Sequence, residues 1–181
     1  MTVHQIVAGR RPVAEDGTPV VTKTFLRAPE SVPSARRFVH AALLDWKLPD
    51  LADTAELIVS ELAANAVLHA QEDKFRVTLR RLGDDQVRVA VIDRSRTLPT
   101  LADANDDEDH GRGLAIVDAL SQQWGTDPLN WGKRVWADVA SPLPGPSGNS
   151  VPIYTSARAQ VVYVLLLTVA AAVVAGLIAE P

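Results

Sequence analysis

Glu61-Leu62-Ala63-Ala64-Asn65, inside the run Asp53 to Gln71, decides how the rest of the chain is read. Ile58, Leu62 and Ala66 recur at helical spacing and can face a core, while Glu61, Asn65 and His69 recur at the same spacing beside them. One edge of a largely apolar helix therefore carries a carboxylate and a carboxamide. Polar groups set next to a core cost free energy unless each finds a partner, so this edge asks for a ligand or a local hydrogen-bond network. The other reading is a helix whose polar edge simply meets solvent. The helix taken alone does not choose between them.

Working outward, Val20 to Arg27 is rich in β-branched residues and reads as a strand. Ser31 offers a helix N-cap, with Pro33 tolerated in the first turn, before a run to about Trp46 that carries Ala35, Phe38, Val39, Ala42 and Leu43 on one side. Leu48-Pro49-Asp50 breaks this helix, and Asp50 or Asp53 is expected to cap the next. Beyond Gln71, Phe75 to Leu79 and Val87 to Ile92 alternate on either side of Gly83-Asp84-Asp85, the signature of a hairpin. From Arg94 to His110 the chain turns polar, with Pro99 and the acids Asp103, Asp106, Asp107, Glu108 and Asp109; so long a charged loop suits a lid or a mobile segment. Gly111-Arg112-Gly113 then opens a third amphipathic helix through Leu114, Ala115, Val117, Ala119 and Leu120, expected to close near Gly125. Glycines at a helix mouth permit close backbone approach, and the free N–H groups there suit an anion; an ordinary glycine-rich helix entry is the plainer reading. Lys133 to Val139 alternates as a last strand, preceded by a turn at Trp131-Gly132. The order strand, helix, helix, two strands, loop, helix, strand predicts an α+β two-layer sandwich, a mixed sheet with helices on one face.

Composition narrows the function. The 181 residues carry a net charge of −4 with both signs interspersed, which leaves no electrostatic footprint for nucleic acid. There is no cysteine, so disulfides, thiolate metal sites and cysteine nucleophiles are excluded, and His4, His40, His69 and His110 lack metal-ligand spacing. Residues 1–19 read as an irregular segment without a secretory signal, 20–140 as the globular domain and 141–157 as a linker rich in proline, glycine and serine. No charge falls between Arg158 and Glu180. About twenty such residues at roughly 1.5 Å each span a hydrocarbon core about 30 Å thick, so 158–179 is expected to be a transmembrane tail anchor holding a cytoplasmic domain at the cell membrane. Two other readings are a helix packed into a partner and a translated extension with no selected role.

Taken together, Glu61, Asn65, Asp93, Gly111 and Gly113 resemble the GHKL superfamily of ATP-binding domains, and most closely its anti-sigma regulatory factor branch, the histidine-kinase-like ATPases abundant in actinobacteria. The resemblance runs from about Thr22 to Val139. Glu61 to Ala70 is similar to the family's N box, Ile92-Asp93-Arg94-Ser95 to its first glycine box with serine in place of glycine, Gly111 to Val117 to its second, and Gly132-Lys133-Arg134-Val135-Trp136 to the closing strand. The resemblance implies that Asn65 coordinates Mg²⁺, that Glu61 acts as general base, and that Asp93 accepts a hydrogen bond from the adenine amino group. It also implies that Ser95, Gly111, Arg112, Gly113 and Leu114 surround ATP, with the preceding loop as a lid. Arg134 stands where many relatives carry threonine. As a whole it implies a serine/threonine protein kinase that phosphorylates an antagonist, anti-anti-sigma-like protein and controls a sigma factor by partner switching. A homodimer is compatible with this branch, and a non-catalytic, membrane-tethered nucleotide-binding module is the alternative.

Overall fold

The computed structural model describes residues 13–70, 72–98 and 112–141. Within them the chain runs β1 (Val20–Leu26), α1 (Ser31–Asp45), a 3₁₀ turn (Pro49–Leu51), α2 (Ala52–His69), β2 (Lys74–Arg81), β3 (Gln86–Asp93), α3 (Arg112–Leu120), β4 (Gln123–Leu129) and β5 (Gly132–Ala140). The strands form one sheet in the order β1-β2-β3-β5-β4. The expected hairpin is β2–β3, turning at Gly83-Asp84-Asp85.

Two expectations about the sheet are corrected. It is antiparallel throughout, not mixed, and it contains β4, a strand falling partly where α3 was expected to continue. The two corrections have one cause. Without β4, the connection from β3 through α3 to β5 would be a crossover that lays β5 parallel beside β3. With β4 at the sheet edge, the chain turns back through Asn130-Trp131 and β5 enters between β4 and β3, antiparallel to both. Pro128 sits on that edge strand, where a missing N–H costs no ladder bond.

Capping was also expected differently. Ser31 is the first residue of α1 rather than its cap, and neither α1 nor α2 has a side-chain cap hydrogen bond. Backbone carbonyls replace them: Ser31 N–H donates to Ala28 O at 2.9 Å and Val32 N–H to Pro29 O at 3.1 Å. The 3₁₀ turn does the same for α2, with Ala52 N–H donating to Pro49 O. At its other end α1 closes with Lys47 N–H on Leu44 O and Leu48 N–H on Leu43 O, which places Lys47 in the left-handed region at φ 60°.

Helices α1 and α2 pack on the sheet and on each other, and α3 packs against α2 and β4. Ala35, Val39 and Leu43 of α1, with Ala55, Ile58, Val59, Leu62, Ala63 and Ala66 of α2, bury one stripe each against Phe75, Val77, Leu79, Val87, Val89 and Val91. Phe25 stacks on Phe75 at 5.6 Å between centroids and meets Phe38 edge-on at 6.1 Å. Strand alternation sends the even-numbered residues of β2, β3 and β5 to the outer face.

That outer face holds a polar row built by register. Arg88, Asp138 and Gln123 lie directly opposite one another across β3, β5 and β4. The Arg88 guanidinium grips Asp138 through two bonds, 2.6 and 2.8 Å, while Gln123 Nε2 donates to Asp138 at 2.7 Å. Arg88 also lies 3.8 Å over the Trp136 ring. In the next row Trp136 is flanked by Ala90 and Gly125, and a β-carbon at Gly125 would meet the indole at 2.8 Å. Burial pushes the Asp138 carboxyl up, but the hydrogen bonds from Arg88 and Gln123 together with the Arg88 charge outweigh it and hold the group below the usual carboxylate range. A carboxylate depressed in the folded state adds stability above the unfolded value of about 3.9, and that stability is lost as pH falls through the lower folded value. Asp138→Asn should therefore cost about 2–3 kcal/mol near neutral pH, a difference that shrinks below about pH 4, as read by urea unfolding across pH.

Candidate nucleotide site

Glu61 and Asn65 sit one turn apart on α2, both partly buried, on the edge that meets the head of α3. The contact is tight at Gly113, where a β-carbon would lie 2.8 Å from Glu61 Oε2 and 3.8 Å from Asn65 Nδ2. A side chain at this position would displace the Glu61 carboxylate from where it stands, while leaving Asn65 in ordinary contact. Burial pushes the Glu61 carboxyl up, toward the range in which a carboxylate is an effective base near neutral pH. The helix edge read from sequence therefore faces the start of another helix. Leu114 follows Gly113 and is buried. Arg112 opens α3. Its side chain, Gly111 and residues 99–110 of the expected lid lie outside the described residues.

A second polar group forms where β3 ends and β5 begins. Asp93, Ser95 and Lys133 are all buried there. Ser95 N–H donates to Asp93 Oδ1 at 2.7 Å, Lys133 Nζ donates to the same oxygen at 3.0 Å, and Ser95 Oγ accepts from Thr97 N–H at 3.3 Å. Among the described residues, the partners of Ser95 are thus Asp93 and its own loop. Gly132 makes this junction sterically feasible: a β-carbon would fall 2.1 Å from the Asp93 carbonyl oxygen and 2.9 Å from Arg94 Cα.

Among the residues expected to form the site, Glu61, Asn65 and Gly113 meet, and Asp93 meets Ser95. Helix α2 packs across β3, placing the two groups on one side of the sheet. Lys133 is the residue sequence reasoning passed over. Arg134, which stands where many relatives carry threonine, is exposed on the outer face and paired with Asp127 at 2.6 Å. The signal was present in the alternation, since Lys133 shares the inward parity of Val135, Ala137 and Val139.

The donor set suits a nucleotide with its metal. Asn65 offers a hard amide oxygen, a fitting ligand for Mg²⁺, which usually takes one or two protein oxygens and completes its shell with phosphates and water. Among the described residues, no three His, Cys, Asp or Glu side chains converge into an all-protein metal cage.

The histidine kinase domain of the blue-light activated histidine kinase from Erythrobacter litoralis EL346 is 29% identical over 51% of this chain and 45% of that one, with a TM-score of 0.37. The chain thus spans less than half the length of that domain. No curated protein matches. The family profile of the histidine kinase-like ATPase domain matches residues 25–136. With Glu61, Asn65, Asp93, Gly113 and Lys133 all inside that match, which covers more than half of the sequence, the chain belongs to the histidine kinase-like ATPase domain family.

Proposed function

We propose that this protein binds ATP with Mg²⁺ and acts as an anti-sigma-type serine/threonine protein kinase, phosphorylating an antagonist protein and controlling a sigma factor by partner switching. The observation that carries this reading is the half-buried Glu61 carboxylate pressed against the head of α3 with Asn65 one turn away. Glu61 takes the proton of the substrate hydroxyl as its oxygen bonds to the γ-phosphorus; the bond from that phosphorus to the β–γ bridging oxygen breaks and ADP leaves. Mg²⁺, when held by Asn65, neutralises charge on the phosphates. Asp93 accepts a hydrogen bond from the adenine amino group, and Gly113 admits the backbone of α3 close to the reacting end.

A second reading is a non-catalytic ATP-binding interaction module. The buried Asp93–Lys133 pair serves it as well as it serves the kinase, since holding a base requires no phosphotransfer. Incubating the full chain with radiolabelled Mg-ATP and its antagonist separates the two. Label on a serine or threonine of the antagonist is expected; a stable complex with no label would leave only the module. The uncharged run between Arg158 and Glu180 supports tethering at the membrane; it lies outside the described residues, and no helix among those described is long and apolar enough to cross one.

A further inference from the structure

Among the described residues, three of the four buried polar or charged ones, Asp93, Ser95 and Lys133, cluster at the junction of β3 and β5; the fourth is Asp138 on the other face. Register pairs Asp93 with Lys133, and both side chains are nearly closed to solvent, at 4% and 6% exposure. Burying an ammonium is costly unless it is paired and hydrogen-bonded, and an ion pair serving stability alone is commonly replaceable by apolar residues. This pair is also asymmetric. Both hydrogen bonds to Asp93 within the described residues, from Ser95 N–H and Lys133 Nζ, end on Oδ1. Lys133 has three N–H donors and uses one of them there. An acceptor, Oδ2, and donors that have no other partner among the described residues are thus held side by side.

An acceptor and a donor in fixed proximity are how a carboxamide reads adenine, accepting from the exocyclic amino group and donating to the neighbouring ring nitrogen. We propose that Lys133 is a base-positioning and specificity-determining residue: it fixes Asp93 through Oδ1, leaves Oδ2 for the N6 amino group, and donates a second hydrogen bond to the ring nitrogen beside that group, N1 or N7. This rests on the reading that Asp93 contacts the base. An Asp93 acting alone recognises only a donor; with Lys133 the site recognises a donor and an acceptor together.

The test is calorimetric titration of the full chain, wild type and Lys133→Met, with Mg-ATP, Mg-1-deaza-ATP and Mg-7-deaza-ATP, each analogue lacking one ring acceptor. For wild type, one of the two analogues should bind about tenfold more weakly than ATP. Lys133→Met should bind ATP at that same weakened level and show no further loss with the analogue. A merely structural lysine would shift all three affinities together. Equal binding of ATP and both analogues by wild type, or an analogue penalty that survives in Lys133→Met, overturns the assignment of Lys133 and leaves ATP binding standing. Absence of ATP binding by folded wild type overturns the nucleotide reading and this assignment with it. Should Lys133→Met not fold, Lys133→Ala carries the same expectation, its side chain having neither charge nor donor.

Discussion

Glu61→Gln should lower phosphotransfer to the antagonist by about 100- to 10,000-fold, the range of a lost general base, while ATP affinity changes by less than about threefold. Glutamine keeps the shape of the side chain, so the close contact with Gly113 survives and α3 stays in place. What disappears is the proton acceptor. The pH behaviour follows from the same burial. Burial raises the Glu61 carboxyl above its ordinary value, so the folded protein holds this proton more tightly than the unfolded chain does. Stability from this group is greatest on the acid side and falls as pH rises from the ordinary carboxylate value through the raised folded one. Activity runs the other way, because only the ionised form accepts the proton. Wild-type rates should climb through the raised value, and Glu61→Gln should lack that limb. At neutral pH the variant should be at least as resistant to urea as wild type, since it no longer buries a charge. A variant that lost activity by unfolding would show the reverse.

The second large effect is expected at Gly132. Its bare Cα lies where an added methyl would sit 2.1 Å from the Asp93 carbonyl oxygen and 2.9 Å from Arg94 Cα, and neither backbone atom can swing aside as the end of a side chain can. Gly132→Ala must push β5 away from the end of β3, disturbing the Asp93↔Lys133 register pair and the Leu129↔Gly132 closure of the β4–β5 hairpin. Overpacking of this kind costs about 3 kcal/mol, which for a domain of this size lowers the melting temperature by roughly 10 °C. ATP affinity should fall with it, because the strand displaced carries Lys133 and borders Asp93. Gly83→Ala is the control: its nearest neighbour would be Gln86 Cβ at 4.0 Å, and its effect should stay within about 0.5 kcal/mol. Thermal melts of the three proteins check the ordering.

Much of this architecture was legible because burial repeats with the period of each element. Val87, Val89 and Val91 on β3, or Ala35, Val39 and Leu43 on α1, announce both the element and its buried side. Strand β4 was silent for the complementary reason. Gln123-Trp124-Gly125-Thr126-Asp127-Pro128-Leu129 contains no fully buried residue, so nothing alternates, and its pairing comes from β5 rather than from any preference of its own. Without that strand, a crossover through α3 would set β5 parallel to β3, in keeping with the mixed sheet expected. The helix caps were misread because side-chain oxygens are visible in a sequence and the carbonyls that replaced them, Ala28 and Pro29, are not. At the site, Glu61 and Asn65 could be singled out by helical spacing. Lys133 was passed over because a lysine in a strand reads as solvent-facing until the register sets it opposite Asp93.

The contact between α2 and α3 gives the opening motif its meaning. Glu61 and Asn65 form a polar edge that meets a second helix at Gly113, and Asp93 with Lys133 forms a second polar pair at the strand end on the same side of the sheet. The claim common to every functional statement is that ATP occupies this place. Calorimetric titration of Mg-ATP into the full chain tests it most directly. The account predicts saturable one-site binding, weakened about tenfold or more by Asp93→Asn and retained by Glu61→Gln. No binding by the folded protein, or binding indifferent to Asp93→Asn, would contradict it.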